Sequence, residues 1–207
     1  VNVGGLMYAD SEYGLQRVVA LAMRSKLGVG PSKFHTGGVA GATDTVYLGT
    51  FNKSAILAAG GFDERYIRAQ DWELNHRLRK NGGLVWFDPR LVVTYRPRNT
   101  FLKLAKQYFQ YGRWRRVISR QHKGTVNYRY LAPPITVLIT ILSLLCGLVI
   151  NPIFTTPALI YISLIIFGGF LIGRKLFDRV LMPFVLLTMH FSWGIGFITS
   201  PKKLFKS

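Results

Sequence analysis

The sequence predicts a mixed α/β unit followed by membrane helices, and three observations carry that expectation. From Tyr130 to Gly173 there is no charged residue, a run long enough for two passes through hydrocarbon. Ahead of it, short apolar runs of strand and helix length alternate between glycines and prolines, the pattern of a mixed α/β fold. Charge is also divided unevenly. Lys and Arg number 27 against nine acids, and eight of those acids lie between Asp10 and Asp88.

In chain order, Val1–Met7 is a strand candidate. Tyr13–Leu27 carries Leu15, Val18, Val19 and Ala22 at helical spacing. A glycine-rich loop covers residues 28–41. Its glycines lack the preceding strand and following helix of a phosphate-binding fingerprint. His35 in that loop has no visible partner and reads as neither ligand nor base. "DTVYLGTF", residues 44–51, is the next strand. "NKSAILAAGG", residues 52–61, is a short helix stopped by Gly60-Gly61. Gln70–Asn81 is a helix with Leu74 and Leu78 on one face and Glu73 spaced to pair with Arg77. Gly82-Gly83 ends it. "LVWF" and "LVVTY", residues 84–87 and 91–95, give two strands around a turn at Asp88-Pro89.

Residues 101–121 place Phe101, Leu104, Ala105, Tyr108 and Phe109 among bases at helical spacing, an amphipathic helix suited to a membrane surface. Leu131–Ile150, Ile153–Gly173 and Val180–Ile198 then read as three membrane helices. The expected division is residues 1–98 as the α/β unit, 99–130 as the interfacial region and 131–207 as the membrane part. The bases before Leu131 suit the cytoplasmic face of a cell membrane, so membrane lipid, and no nucleic acid, is the expected partner of the positive charge. On the same rule the loop Asn151–Thr156 lies outside and Arg174, Lys175 and Arg179 lie inside. Lys202, Lys203 and Lys206 would then lie outside, against the rule. Either the third segment does not fully cross, or the rule fails here. Cys146 is the single cysteine, so no disulfide forms within the chain, which fits a cytosolic setting.

Asp71 is the first chemical candidate. It stands in the first turn of the 70–81 helix, where the helix dipole favours an ionised carboxylate. Such a group can take a proton from an attacking hydroxyl within reach. Asp is also common in first turns for helix-start reasons alone, and the residue itself does not choose between these roles.

The wider pattern does. Gly49-Thr50, Lys53, Gly60-Gly61-Phe62-Asp63-Glu64, Asp71, Leu74, Arg77-Leu78 and Gly82 stand in the order found in the second half of the catalytic domain of family 2 glycosyltransferases. The family's Glu-Asp pair is Gln70-Asp71 here. "QYGRW", residues 110–114, matches the family's Q-x-x-R-W and lies between that pattern and the membrane helices. The chain therefore resembles membrane-bound members of this family, in particular bacterial exopolysaccharide glycosyltransferases of the succinoglycan type. The resemblance implies the C-terminal half of a GT-A (nucleotide-diphospho-sugar transferase) domain with a mixed sheet, then an interfacial helix and about three transmembrane helices. It implies an inverting sugar transfer from a nucleotide-sugar donor to a saccharide or lipid-linked acceptor, with Asp71 as base. Gly49, Thr50, Gln110, Arg113 and Trp114 are the implied substrate-binding residues. The implied divalent metal, Mg or Mn, is held in the family by an Asp-x-Asp site that should precede Val1. No Asp-x-Asp occurs in this chain, so no metal ligand is assigned to it. The chain is accordingly expected to be a piece of a longer protein and inactive alone. The alternative is a membrane transport or scaffold protein with a basic cytosolic domain. It would need polar residues along an intramembrane path, where only His190 and a few Ser and Thr are available.

Overall fold

The computed structural model of the chain describes residues 1–204, so Lys206 lies outside the described residues. The elements in order are β1 (Asn2–Ala9), α1 (Gly14–Met23), two single turns α2 (Lys26–Val29) and α3 (Lys33–Thr36), β2 (Gly41–Ala42), β3 (Tyr47–Phe51), α4 (Lys53–Ala58), α5 (Gln70–Lys80), β4 (Val85–Tyr95), α6 (Phe101–Gln121), α7 (Tyr128–Val149), a 3₁₀ turn (Pro152–Thr155), α8 (Thr156–Ile172) and α9 (Leu176–Ile198). The strands form one sheet in the order β2-β4-β1-β3. β1 runs parallel to β4 and antiparallel to β3, so the sheet is mixed, as expected.

The helix expected over Tyr13–Leu27 stops at Met23, and Ser25 caps the separate turn α2. A second local expectation changes in β4. The two strands foreseen around Asp88-Pro89 are a single strand, β4, with a bulge. Gly4 pairs with Phe87 but Leu6 pairs with Val92, leaving the intervening residues of β4 unpaired. Pro89 has no N–H for the ladder, and the Asp88 carboxylate turns back to Arg90 at 2.6 Å. The displaced backbone folds over Gly5, where a Cβ would sit 1.7 Å from the Leu91 carbonyl oxygen.

The short helix α4 starts on Asn52, whose side chain accepts the Ala55 N–H. It stops at Gly60 and Gly61, both with positive φ, as its glycines foretold. The loop of residues 28–41 is less open than its composition suggests, because α3 folds within it.

The main core crosses from the sheet into the apolar helices. It joins Met7 and Ala9 of β1, Val18, Val19, Ala22 and Met23 of α1, Leu104 and Tyr108 of α6, Ile165 of α8, and Met182, Val185, Leu186 and Met189 of α9. Burying each such side chain is worth roughly 1.5–3 kcal/mol. The α/β unit thus rests on the same side chains as the helices below it.

Among the described residues, three helical segments are long and apolar enough to cross a membrane: Tyr128–Val149, Pro152–Ile172 and Leu176–Ile198. α7 and α8 form a hairpin. Ser143 donates to the Phe154 carbonyl at 2.6 Å and accepts from the Ala158 N–H at 3.2 Å. Leu142, Leu148, Ile160 and Phe167 face outward, a surface suited to lipid.

Candidate active site

α5 begins under strain. Its N-cap, Ala69, has a left-handed backbone with φ of 60°, a conformation costing about 1–3 kcal/mol for a residue with a Cβ and concentrated at functional sites. Two residues on, the Asp71 carboxylate accepts its neighbour's N–H, that of Trp72, at 2.8 Å. The side chain otherwise stands exposed to solvent and open to an incoming group.

Trp72 points the other way and is buried. Its indole N–H donates to Asp44 Oδ2 at 3.3 Å, and the Tyr130 hydroxyl donates to the same oxygen at 3.3 Å. The Arg115 guanidinium lies between the two rings, 4.4 Å from the centre of Trp72 and 3.9 Å from that of Tyr130. Burial pushes the Arg115 pKa down, while the Asp44 and Asp71 carboxylates are near enough to oppose the shift. Arg115 Nη1 is buried without a hydrogen-bond partner. The site thus joins four elements: the segment before β3, the start of α5, the middle of α6 and the start of α7.

Glu73 is a different kind of carboxylate. It is only 2% exposed and holds Arg77 at 2.7 Å, with His122 Nε2 3.3 Å away. Arg77 in turn donates to the carbonyls of Ala59 and Gly61, tying α5 to the turn after α4. The pairing is the one the spacing foretold, but Glu73 is buried and Arg77 partly so. Its loss is therefore heavier than that of a surface i,i+4 pair.

α5 is also tied to the sheet. Asn2 Nδ2 donates to Asn75 Oδ1 at 2.7 Å, and Asn75 Nδ2 donates to Thr45 Oγ1 at 3.0 Å. Gly49 packs on this chain of amides: a Cβ there would lie 2.1 Å from Asn2 Oδ1. Thr50 beside it is exposed on the edge strand β3. Leu48 just before them has a positive φ of 44°, the second strained residue near the site.

In the Gln110–Trp114 motif the side chains separate. Trp114 is 3% exposed and packs 6.0 Å from the Tyr66 ring, in one cluster with Trp72, Val117 and Ile118. It supports the start of α5 from below. Arg113 lies 5.5 Å from the Phe109 ring centre, and its Nε is buried without a hydrogen-bond partner. Gln110 is half-buried on α6.

Beside the Asp44 cluster is a cavity of about 360 Å³ between the loop around α2 and helices α6 to α9. Tyr130 belongs to both. Tyr108, Tyr111, Tyr128 and Trp193 also line the cavity, together with Arg129 and Lys26. His35 faces it too. Burial, with the nearby Arg129 charge, lowers the His35 pKa to about 3, and its Nδ1 has no hydrogen-bond partner.

Sequence reasoning passed over Asp44, Arg115 and Tyr130. The scarcity of acids that drew notice to Asp71 applies equally to Asp44, which is alone between Glu12 and Asp63. Arg115 and Tyr130 carried no such signal among so many bases and tyrosines.

The chain resembles glycosyltransferases of exopolysaccharide synthesis. It is 29% identical over 184 residues to the succinoglycan biosynthesis protein ExoA of Rhizobium meliloti, covering 88% of this chain and 55% of that protein. It is also 29% identical over 133 residues to the dolichyl N-acetyl-alpha-D-glucosaminyl phosphate 3-beta-D-2,3-diacetamido-2,3-dideoxy-beta-D-glucuronosyltransferase of Methanococcus voltae, covering 64% of this chain and 40% of that enzyme. The chain thus spans about half the length of these relatives. No family model matches it, and no solved structure matches it.

Proposed function

We propose that this chain is the acceptor-side part of an inverting, membrane-bound glycosyltransferase of family 2, built on the second half of a GT-A domain. In this reading the α/β unit faces the cytoplasm at the cell membrane. The exposed Asp71 carboxylate, next in the chain to the Trp72 ring on which the Arg115 guanidinium packs, is the observation that carries it. A nucleotide-sugar donor is attacked by a hydroxyl of a saccharide or lipid-linked acceptor. The acceptor proton passes to Asp71 as the new bond forms at the anomeric carbon. The bond to the nucleoside diphosphate breaks, and its electron pair leaves with the phosphate oxygen. Arg113 and Arg115, each with a buried N–H lacking a partner, supply donors for the departing charge. Gly49, Thr50, Gln110 and Trp114 shape the substrate site in the same reading.

A lipid-linked acceptor draws support from the cavity beside Tyr130, which has aromatic walls, two cations and a floor of apolar helices. The name of the Methanococcus voltae relative describes a dolichyl-linked acceptor. A divalent metal, Mg or Mn, belongs to the proposal through the family resemblance alone. Among the described residues no three His, Cys, Asp or Glu side chains gather to hold one, and Asp44 is already engaged by Trp72 and Tyr130. No step is therefore assigned to a metal held by these residues.

The test is sugar transfer in membranes by the full-length protein carrying Asp71→Asn. Turnover should fall by about 10²–10⁴ with nucleotide binding retained. Near-normal turnover would overturn the assignment of Asp71 as base.

A further inference from the structure

We propose that α9 does not cross the membrane. It lies in the interface plane, its exposed apolar stripe against the leaflet from which α7 starts. Only α7 and α8 then cross, and Ser200 stays on the side of the α/β unit.

α9 has 23 residues, about 35 Å at 1.5 Å per residue, enough to span hydrocarbon. A spanning helix would leave the α/β unit behind after its first turns. α9 instead meets residues from before α7 along its whole length. Near its start, the buried Asp178 carboxylate accepts from Arg17 of α1 at 2.6 Å. Met182, Val185, Leu186 and Met189 then share a core with α1. His190 Nε2 lies 2.8 Å from the Leu27 carbonyl oxygen. Gly196 packs on the Phe109 backbone of α6, where a Cβ would be 2.1 Å from the carbonyl oxygen. Just past its end, the Ser200 hydroxyl donates to the Arg113 carbonyl at 3.0 Å, and Arg120 donates to the Ser200 and Pro201 carbonyls, each at 2.9 Å.

α6 alongside it is not a route through the bilayer. It carries Lys103, Lys106, Arg113, Arg115, Arg116 and Arg120, too much charge for hydrocarbon. It is also tethered to the α/β unit at both ends. Gln107 donates to the Tyr95 hydroxyl at 2.9 Å, and His122 lies 3.3 Å from Glu73. A helix pinned to α1 at one end and to the far end of α6 at the other runs along the protein's base.

The opposite side of α9 fits lipid. Phe177, Val180, Phe184, Ile195 and Ile198 are exposed. At 3.6 residues per turn these positions fall within about 60° of one another, a single stripe. Arg174, Lys175 and Arg179 flank its start, and Lys202 and Lys203 follow its end. An in-plane α9 places all five on one side of the membrane. That removes the conflict with the positive-inside rule that a third crossing creates.

The test uses the full chain in native membranes of intact cells. In a Cys146→Ser background, single cysteines are introduced by Asn81→Cys, Ile153→Cys and Lys203→Cys and probed with a membrane-impermeant maleimide. Lys203→Cys and Asn81→Cys should share one pattern, with no labelling until the cells are permeabilised. Ile153→Cys should label without permeabilisation. Labelling of Lys203→Cys in step with Ile153→Cys overturns the proposal. A second measurement guards against misplaced variants: a fluorophore at Phe184→Cys in reconstituted bilayers, quenched by lipids brominated at different depths. Strongest quenching near the headgroups supports an in-plane α9, and strongest quenching at the bilayer centre overturns it.

Discussion

The first turn of α5 carries two carboxylates, two residues apart, in contrasting surroundings. Asp71 has a single backbone partner and an open approach. Glu73 is buried, doubly bonded to Arg77 and close to His122. Separation by about 200° around the helix axis suffices to send one side chain to solvent and the other into the protein. The difference teaches that a carboxylate free for proton transfer is one the fold has left under-used. A fully engaged carboxylate is mainly structural.

Kinetics should separate the pair most widely. Asp71→Asn should lower turnover by about 10²–10⁴, whereas Glu73→Gln should leave turnover per folded molecule near normal. Sugar transfer normalised to folded protein checks this, and the contrast breaks if Glu73→Gln is the inactive variant. Arg115→Gln comes next. It keeps hydrogen-bonding capacity beside Trp72 but removes the cation, and turnover should drop by about 10². Steady-state rates at saturating donor would show it.

Stability should then reverse the order. Glu73→Gln leaves Arg77 without its charge partner in a partly buried site and should cost about 1–3 kcal/mol. Asp71→Asn, at an exposed position, should cost less than half of that. Thermal unfolding in detergent measures both. A separate effect concerns acid. His35 has a pKa of about 3 in the folded chain against 6.5 for the free side chain. Between those values the unfolded chain binds a proton that the folded chain does not. Stability contributed by neutral His35 is thus complete above pH 6.5 and is lost as pH falls from 6.5 towards 3. The slope is at most about 1.4 kcal/mol per pH unit. His35→Gln should flatten the pH dependence of unfolding in that window without altering the Asp71–Glu73 contrast.

Much of this arrangement was legible in the chain. The apolar periodicity of Leu74 and Leu78, and the glycines at 60, 61 and 82, located α4 and α5 because helix faces and stops are local properties. The 101–121 helix was found within its observed bounds for the same reason. The bulge in β4 was read as a turn, because Pro89 signals a broken ladder but not whether the strand resumes beside the same partner. Asp44 and Arg115 were missed because their meeting depends on four elements converging, and no spacing within one segment encodes it. The shared core of α1 and α9 was hidden for a related reason. Val18, Val19 and Met23 look like a face made for the sheet, and Met182 to Met189 like a face made for lipid.

That shared core sets an order of events during synthesis. The apolar face of α1 is made early, yet Met182, Val185, Leu186 and Met189, which cover part of it, are translated only after both arms of the α7–α8 hairpin. Until then the nascent α/β unit carries an unfinished, adhesive side. Completion waits on hairpin insertion, which brings α9 back beneath the waiting helix. Asp178 and Arg17, 161 positions apart in the chain, are then the clasp that shuts the assembly. A ribosome stalled before residue 182 would present a sticky, protease-sensitive α1 to the chaperones around it.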